Sequence, residues 1–252
     1  MIINTYKKEG ETPLECILRL RQEGTITENE KATYAGRLDP MAEGVLVILS
    51  GQDVHQKEEY LKLDKEYEVD ILFGVSTDTG DVLGIIQNSK FKSQNNFISF
   101  SAIAEDNIKA ALSKCIGSFE EEYPVYSSRT VSGKPLFSLA RLGQIFHTPK
   151  HKVTIHSIIL NNVITRNGKD IAEESIQRIA KVKGDFRQNE IISLWEKFAD
   201  EYKAEDLQII KIKVSCASGA YMRVLAEKIG KDLGTPSLAY RIKRTRVGEY
   251  KT

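Results

Sequence analysis

The chain has 252 residues, 41% of them apolar and 28% charged, with 36 Lys and Arg against 35 Asp and Glu. Such proportions belong to water-soluble globular proteins, and the length suffices for one large domain or two small ones. They exclude a membrane span, since no run of about 18 apolar residues exists, and the opening "MIINTYKKEGETP" lacks the apolar core of a secretory signal. Cys16, Cys115 and Cys216 are far apart, which fits reduced thiols in the cytoplasm better than a disulfide framework. The formal charge of +1 announces no polyanionic partner, but its distribution is uneven. "YRIKRTRVGEYKT" carries Arg241, Lys243, Arg244, Arg246 and Lys251, and Lys150, His151 and Lys152 form a second basic group. Acid collects at Glu120 to Glu122 and around Asp200 to Asp206. Segregated charge attracts phosphate locally even when the sum is near zero.

In chain order, "TPLECILRLRQEG" predicts a helix. Thr12 caps it, Pro13 suits its first turn, Glu15 completes a capping box and Gly24 ends it. Leu14, Ile17, Leu18 and Arg21 are expected to share a face. "GVLVILS" (44–50) predicts a buried strand. "EYEVDILFGVSTDTGDVLGIIQ" reads as a hairpin around a Thr-Asp-Thr-Gly-Asp turn. "EDNIKAALSKCIG" places Ile108, Ala111, Leu112 and Cys115 at helical spacing, with Gly117 as its stop. "KPLFSLARLG" predicts a short helix ended by Gly143, and "KVTIHSIILNNVITR" an alternating strand. Residues 161–206 are polar and hold two helical patterns and Trp195, and so read as a helical insertion between strands. "LQIIKIKVSCASG" predicts a half-buried strand. "GAYMRVLAEKIGKDLG" predicts an amphipathic helix with Met222, Leu225, Ala226, Ile229 and Leu233 on one side. A last short strand covers "TRVGEY". Strands and helices mix without regular βαβ alternation, which points to an α+β fold with a mixed, largely antiparallel central sheet flanked by helices.

No metal site emerges: His147 and His151 are four apart, but Pro149 breaks the helical pair, and no cysteine is near. Asp78 and Asp81 in "STDTGD" read as turn chemistry. What remains is a set of single polar residues on regular elements. Asp39, before Pro40, alone reads as a cap or turn. Tyr67 opens a strand, and Arg223, among apolar neighbours in a helix, needs an anionic partner if buried.

Four stretches together resemble the TruB-type tRNA pseudouridine synthases. "AGRLDPMAEGVL" is similar to the family's Gly-x-Leu-Asp-Pro-x-Ala-x-Gly-x-Leu loop. "DKEYEV" resembles its second motif, with Tyr67 standing 28 residues beyond Asp39. "EYPVYSSRTVSGKPLFSLARLG" and "SCASGAYMRVLAEKIGKDLGTPSLAYRIKRTRVGEY" resemble its later segments. Order and spacing hold from about residue 5 to 250, apart from the insertion. The resemblance implies the pseudouridine synthase fold as one catalytic domain (1–252) and an isomerase that turns a uridine of RNA, foremost the T-loop uridine of tRNA, into pseudouridine.

It implies no cofactor and no metal, and a base flipped out of its stack. Asp39 would act at the sugar, either as nucleophile at C1′ or as base at C2′. Arg223 would be its partner, Tyr67 would stack on the uracil, and Tyr221 and Ile242 would wall the pocket. Arg241, Lys243, Arg244 and Arg246 would meet phosphates. The expected partner is RNA, with no membrane and no obligatory protein, for a monomer. This sequence departs from the family at Tyr34, where His is usual and touches RNA near the flipped base, and at Ser128 and Arg129, where Ala-Leu is usual. The sequence also stops after the third motif, so the C-terminal RNA-binding domain of many relatives is not expected. The alternatives are a synthase for another RNA and a non-catalytic RNA-binding or chaperone protein of the same fold; a soluble domain binding something other than RNA is the third.

Overall fold

The computed structural model describes residues 1–87, 102–131, 133–143 and 147–252. Among these, strands and helices run in the order β1 (Ile2–Lys7), α1 (Pro13–Gln22), β2 (Ala32–Ala35), β3 (Ala42–Ser50), α2 (Lys57–Leu61), β4 (Lys65–Phe73), α3 (Glu105–Lys114), β5 (Gly117–Glu122), β6 (Thr130–Val131), β7 (Lys134–Pro135), α4 (Leu136–Arg141), β8 (Lys150–Asn167), α5 (Gly168–Ile179), α6 (Gln188–Glu201), β9 (Asp206–Cys216), α7 (Met222–Asp232), β10 (Ser237–Val247) and β11 (Tyr250–Lys251). One sheet carries most of the strands in the order β1-β3-β10-β4-β9-β8-β5, with β2 on β3 and β11 on β10. Among the described strands only β3 and β10 pair in parallel. The fold is thus the mixed, mostly antiparallel α+β sheet that the pattern of elements implies.

Strand alternation sends successive residues of the central strands to opposite faces. Ile71, Ile210 and Ala239 join the core under α3 and α7, where Ile108, Leu112, Met222, Leu225, Ala226 and Ile229 are buried. Their neighbours Leu72, Ile209 and Leu238 join a second core on the other face, closed by Ile171, Ile191, Trp195 and Phe198 of α5 and α6. The insertion therefore closes one of the two cores that flank the central sheet, and Trp195 within it is fully buried. Its helical part begins at Gly168, because β8 runs on through Asn167 against β9.

One expectation is refined and two are corrected. Helix α1 has the capping box of Thr12 and Glu15, but it buries Pro13, Cys16, Ile17 and Leu20, leaving Leu14 and Leu18 exposed. Both sets have helical spacing, and the position of β3 selects between them. The hairpin after β4 does not form. Residues 74–87 are a loop with two isolated bridges, Thr77 to Ile86 within it and Asp81 to Ala239 of β10. Asp78 and Asp81 accept from the backbone N–H of Ile85 and Leu83, donors that a ladder would need. Finally, the short strand expected over "TRVGEY" is replaced by β10, eleven residues long and taking in the basic residues 241–246, followed by the two-residue β11.

Glycine 44 explains one fixed letter of the loop motif. With φ of 113° it lies opposite Arg244 in the parallel pair, and a Cβ there would stand 2.2 Å from the Arg244 carbonyl oxygen. The charge clusters also resolve: Glu120, Glu121 and Glu122 on β5 stand opposite Lys152, His151 and Lys150 on β8. Burial pushes the Glu121 carboxyl up to about 7, and its Oε1 is buried without a partner. A raised carboxyl stabilises the fold fully below its ordinary pKa of about 4.5. That contribution is lost as pH rises through about 7. Glu121→Gln should therefore melt above wild type at pH 8 and converge with it near pH 5. Melting temperatures across that range check the sign.

Candidate active site

Asp39 lies between β2 and β3 in a loop that buried groups hold from below. Lys7, fully buried at the end of β1, donates from Nζ to the carbonyls of Pro40 and Ala42, and Gly10 N–H donates to Pro40 at 2.9 Å. Burial pulls the Lys7 ammonium down to about 8. Arg223 rises from the first turn of α7, and its Nε donates to Asp39 Oδ2 at 2.8 Å across 184 residues of sequence. Its other donors are also taken: Nη1 goes to the Thr79 carbonyl and Nη2 to that of Tyr126, 3.1 Å away. Three separate loops thus converge on one guanidinium, which matches that group's planar fork of donors.

A second carboxylate, Asp81, stands 4.0 Å from Arg223 Nε and is almost fully buried. Burial pushes its carboxyl up, and Thr79 Oγ1 and Leu83 N–H both donate to it. Glu227, one turn along α7, is likewise raised by burial. Burial opposes the charge on Arg223, but Asp39 and Asp81 outweigh it, so the guanidinium holds its proton more tightly than usual. The loop reaches this close because residue 80 is glycine: a Cβ there would stand 2.7 Å from Glu227 Oε1 and 3.2 Å from Arg223 Cβ.

Within this ion pair's reach opens a cavity of about 530 Å³. Asp39, Tyr67, Tyr221, Arg223 and Ile242 all line it, so the structure brings these five sequence-predicted residues together. Asp39 is 32% exposed and Arg223 only 4%, so the carboxylate is the member of the pair that an incoming molecule can touch. Burial raises the Tyr67 phenol, with Arg244 opposing in part, and pushes Tyr221 up to about 12. Both present neutral rings at pH 7. Tyr221 also receives the edges of a stacked pair, Tyr123 on His151 at 3.8 Å between ring centres.

Other predicted residues lie elsewhere. Tyr34 is on β2, packed against the α1 core with Lys57 above its ring, and is not among the cavity's lining. Arg244 does line the cavity, but it is 1% exposed and donates to the carbonyls of Val45, Arg37 and Gly36. Its donors are spent on backbone and on the Tyr67 phenol, so the expectation of a phosphate contact is corrected to an internal brace of the Asp39 loop. Arg241 and Arg246 are paired with Glu174 and Glu66. Lys243 is half-buried on β10. Sequence reasoning missed Asp81, read as turn chemistry, along with Ser127 and the 185–187 turn, which also line the cavity. For Asp81 the signal was the apolar Val82-Leu83 that follows it.

A family model described as "TruB family pseudouridylate synthase (N terminal domain)" matches residues 25–175. The chain belongs to this TruB family. Among curated relatives, tRNA pseudouridine synthase B of Lactococcus lactis subsp. cremoris is 28% identical over 244 residues, and that of Listeria monocytogenes serotype 4b is 29% identical over 251. The alignments cover 97% and 99% of this chain but 60% and 67% of those TruB relatives, so the chain spans about two thirds of their length. A solved structure titled "Crystal Structure of a Cbf5-Nop10-Gar1 Complex" shares the fold, with a TM-score of 0.58 and 17% identity over 99% of this chain and 49% of that one. Among the described residues no cluster of His, Cys, Asp or Glu is arranged to hold a metal ion, and no helix is long and apolar enough to cross a membrane.

Proposed function

We propose that this TruB-family chain converts a uridine of RNA to pseudouridine, with the T-loop uridine of tRNA as its target. The observation that carries the proposal is the Asp39 carboxylate held by Arg223 at the side of a cavity that also has Tyr67 in its wall. The N1–C1′ bond breaks, the base turns, C5 bonds to C1′, the C5 proton leaves and N1 gains a proton. Asp39 attends the sugar as nucleophile or base, and either role needs an ionised, oriented carboxylate.

About 530 Å³ suits a flipped nucleotide and little more. Tyr67, Tyr221 and Ile242 would sandwich the uracil. Ser127 Oγ, buried without a protein partner, would meet its polar edge. A neutral Tyr67 favours stacking over proton abstraction. Tyr34 would touch RNA outside the cavity, and Arg241, Lys243 and Arg246 remain candidates for phosphate, competing there with Glu174 and Glu66. The sheet joins β1 to β10 without a break, which supports one catalytic domain from 1 to 252 with α5 and α6 inserted. Incubation with a tRNA transcript tritiated at C5 of uridine should release tritium to water. Firm binding with no release from any tRNA would favour the chaperone alternative.

A further inference from the structure

The turn joining α5 to α6 reaches the cavity. Asp185, Phe186 and Arg187 line it together with Asp39. Among the described residues Arg187 is the one non-glycine with positive φ, 63°, a left-handed conformation that side chains other than those of Asn and Asp rarely adopt. The strain is held in place locally: Gln188 accepts from Phe186 N–H and donates to the carbonyls of Val182 and Gly184. Arg141 donates to the Asp185 carbonyl at 2.8 Å and lies over the Phe186 ring. So placed, the Arg187 guanidinium makes a two-pronged contact with Asp78, at 2.7 and 3.3 Å, and sits 5.0 Å from the centre of the Tyr126 ring.

These two contacts are special because of what their targets do. Asp78 is chain neighbour to Thr79, whose carbonyl accepts from Arg223 Nη1, and Tyr126 itself supplies the carbonyl for Nη2. Arg187 therefore grips both loops that hold the partner of Asp39. The insertion fastens one of them again, since Trp195 Nε1 donates to the Val82 carbonyl at 3.0 Å. Neither loop is a ladder strand: the sheet reaches one of them at Gly80, whose carbonyl accepts from Ala239 N–H of β10 at 2.9 Å, and the Thr79 and Tyr126 carbonyls themselves still need further contacts to hold them to the accuracy that an ion pair at a reacting centre requires.

We propose that Arg187 is a positioning residue, and that the α5–α6 insertion belongs to the catalytic apparatus by bracing, through Asp78 and Tyr126, the two backbone acceptors of Arg223. This rests on the catalytic reading of Asp39 and Arg223, and its test separates the two. In Arg187→Ala, the single-turnover rate on tRNA should fall about 10- to 100-fold, measured well below the melting temperature. Binding of tRNA should shift by less than about threefold, on the same principle that misplacement acts on the chemical step. Arg187→Lys should recover part of the rate. Asp78→Asn combined with Arg187→Ala should be little worse than either alone. Glu196→Ala, on the exposed face of α6, should behave as wild type.

Independently of turnover, the Arg223 Nε–Hε NMR signal, assigned by its loss in Arg223→Lys, should be protected from exchange in the wild type and broadened in Arg187→Ala. An Arg223 signal unchanged by Arg187→Ala would overturn the proposal whatever the activity. So would a lowered melting temperature with a wild-type single-turnover rate, or a rise in the dissociation constant alone. A wild type that releases no tritium, with the Arg223 signal still responding to Arg187, would sink the function and keep the brace.

Discussion

Asp39→Asn is expected to abolish tritium release, by on the order of 10⁴-fold in rate, while leaving the melting temperature and tRNA binding close to wild type. The amide has the shape of the carboxylate and still offers an oxygen to Arg223 Nε, so the 2.8 Å contact survives as a neutral one. The fold loses little because the side chain is partly exposed and the loop is held by other groups, the Lys7 ammonium and the Gly10 N–H. What disappears is the anion, which neither the nucleophilic nor the base role can do without. The clean readout is a stable, tRNA-binding, inactive protein. A mutant with full turnover would remove Asp39 from the mechanism and the proposed function with it.

Arg223→Ala is expected to damage both fold and activity, and Arg223→Lys to separate them. Truncation leaves Asp39, Asp81 and Glu227 facing one another without their cation, the carbonyls of Thr79 and Tyr126 without donors, and a hole in α7. Removing one partner of a buried pair costs about 3–5 kcal/mol. Exposure of Asp39 argues for the lower end. Lysine restores the positive charge, so the melting temperature should recover most of the loss. A single ammonium cannot span three acceptors fixed for a planar fork, so turnover should stay about 100-fold below wild type. Thermal melts and single-turnover rates on the same preparations decide it. Equal recovery of both would reduce Arg223 to a structural charge.

How much of this was legible depended on the distance over which each residue is explained. The α1 cap, the α7 face and β3 followed from neighbours within a turn or two. The family motifs named Asp39, Tyr67, Tyr221, Arg223 and Ile242 as one group, and the fold lines a single cavity with them. Arg244 was illegible: four basic residues in a row of six look like a solvated strip, and only the pairing of β10 between β3 and β4 turns that side chain inward to carbonyls some 200 positions away. Asp81 was obscured by its twin, since Thr-Asp-Thr-Gly-Asp does not say which aspartate is inside. The insertion was recognised as helical, but its polar surface gave no sign that its turn would reach the cavity.

The parallel contact of β3 with β10 has a consequence for synthesis. The ribosome releases Asp39 first and its partner some 180 residues later, and β10, which lies between β3 and β4, comes later still. Until then the two earliest long strands have no shared neighbour, and their unpaired edges are open to other chains. Pairings across so much sequence form slowly. A nascent chain halted before Ser237 therefore lacks the closed site and is prone to aggregate, and the site cannot exist until Ser237–Val247 has been made.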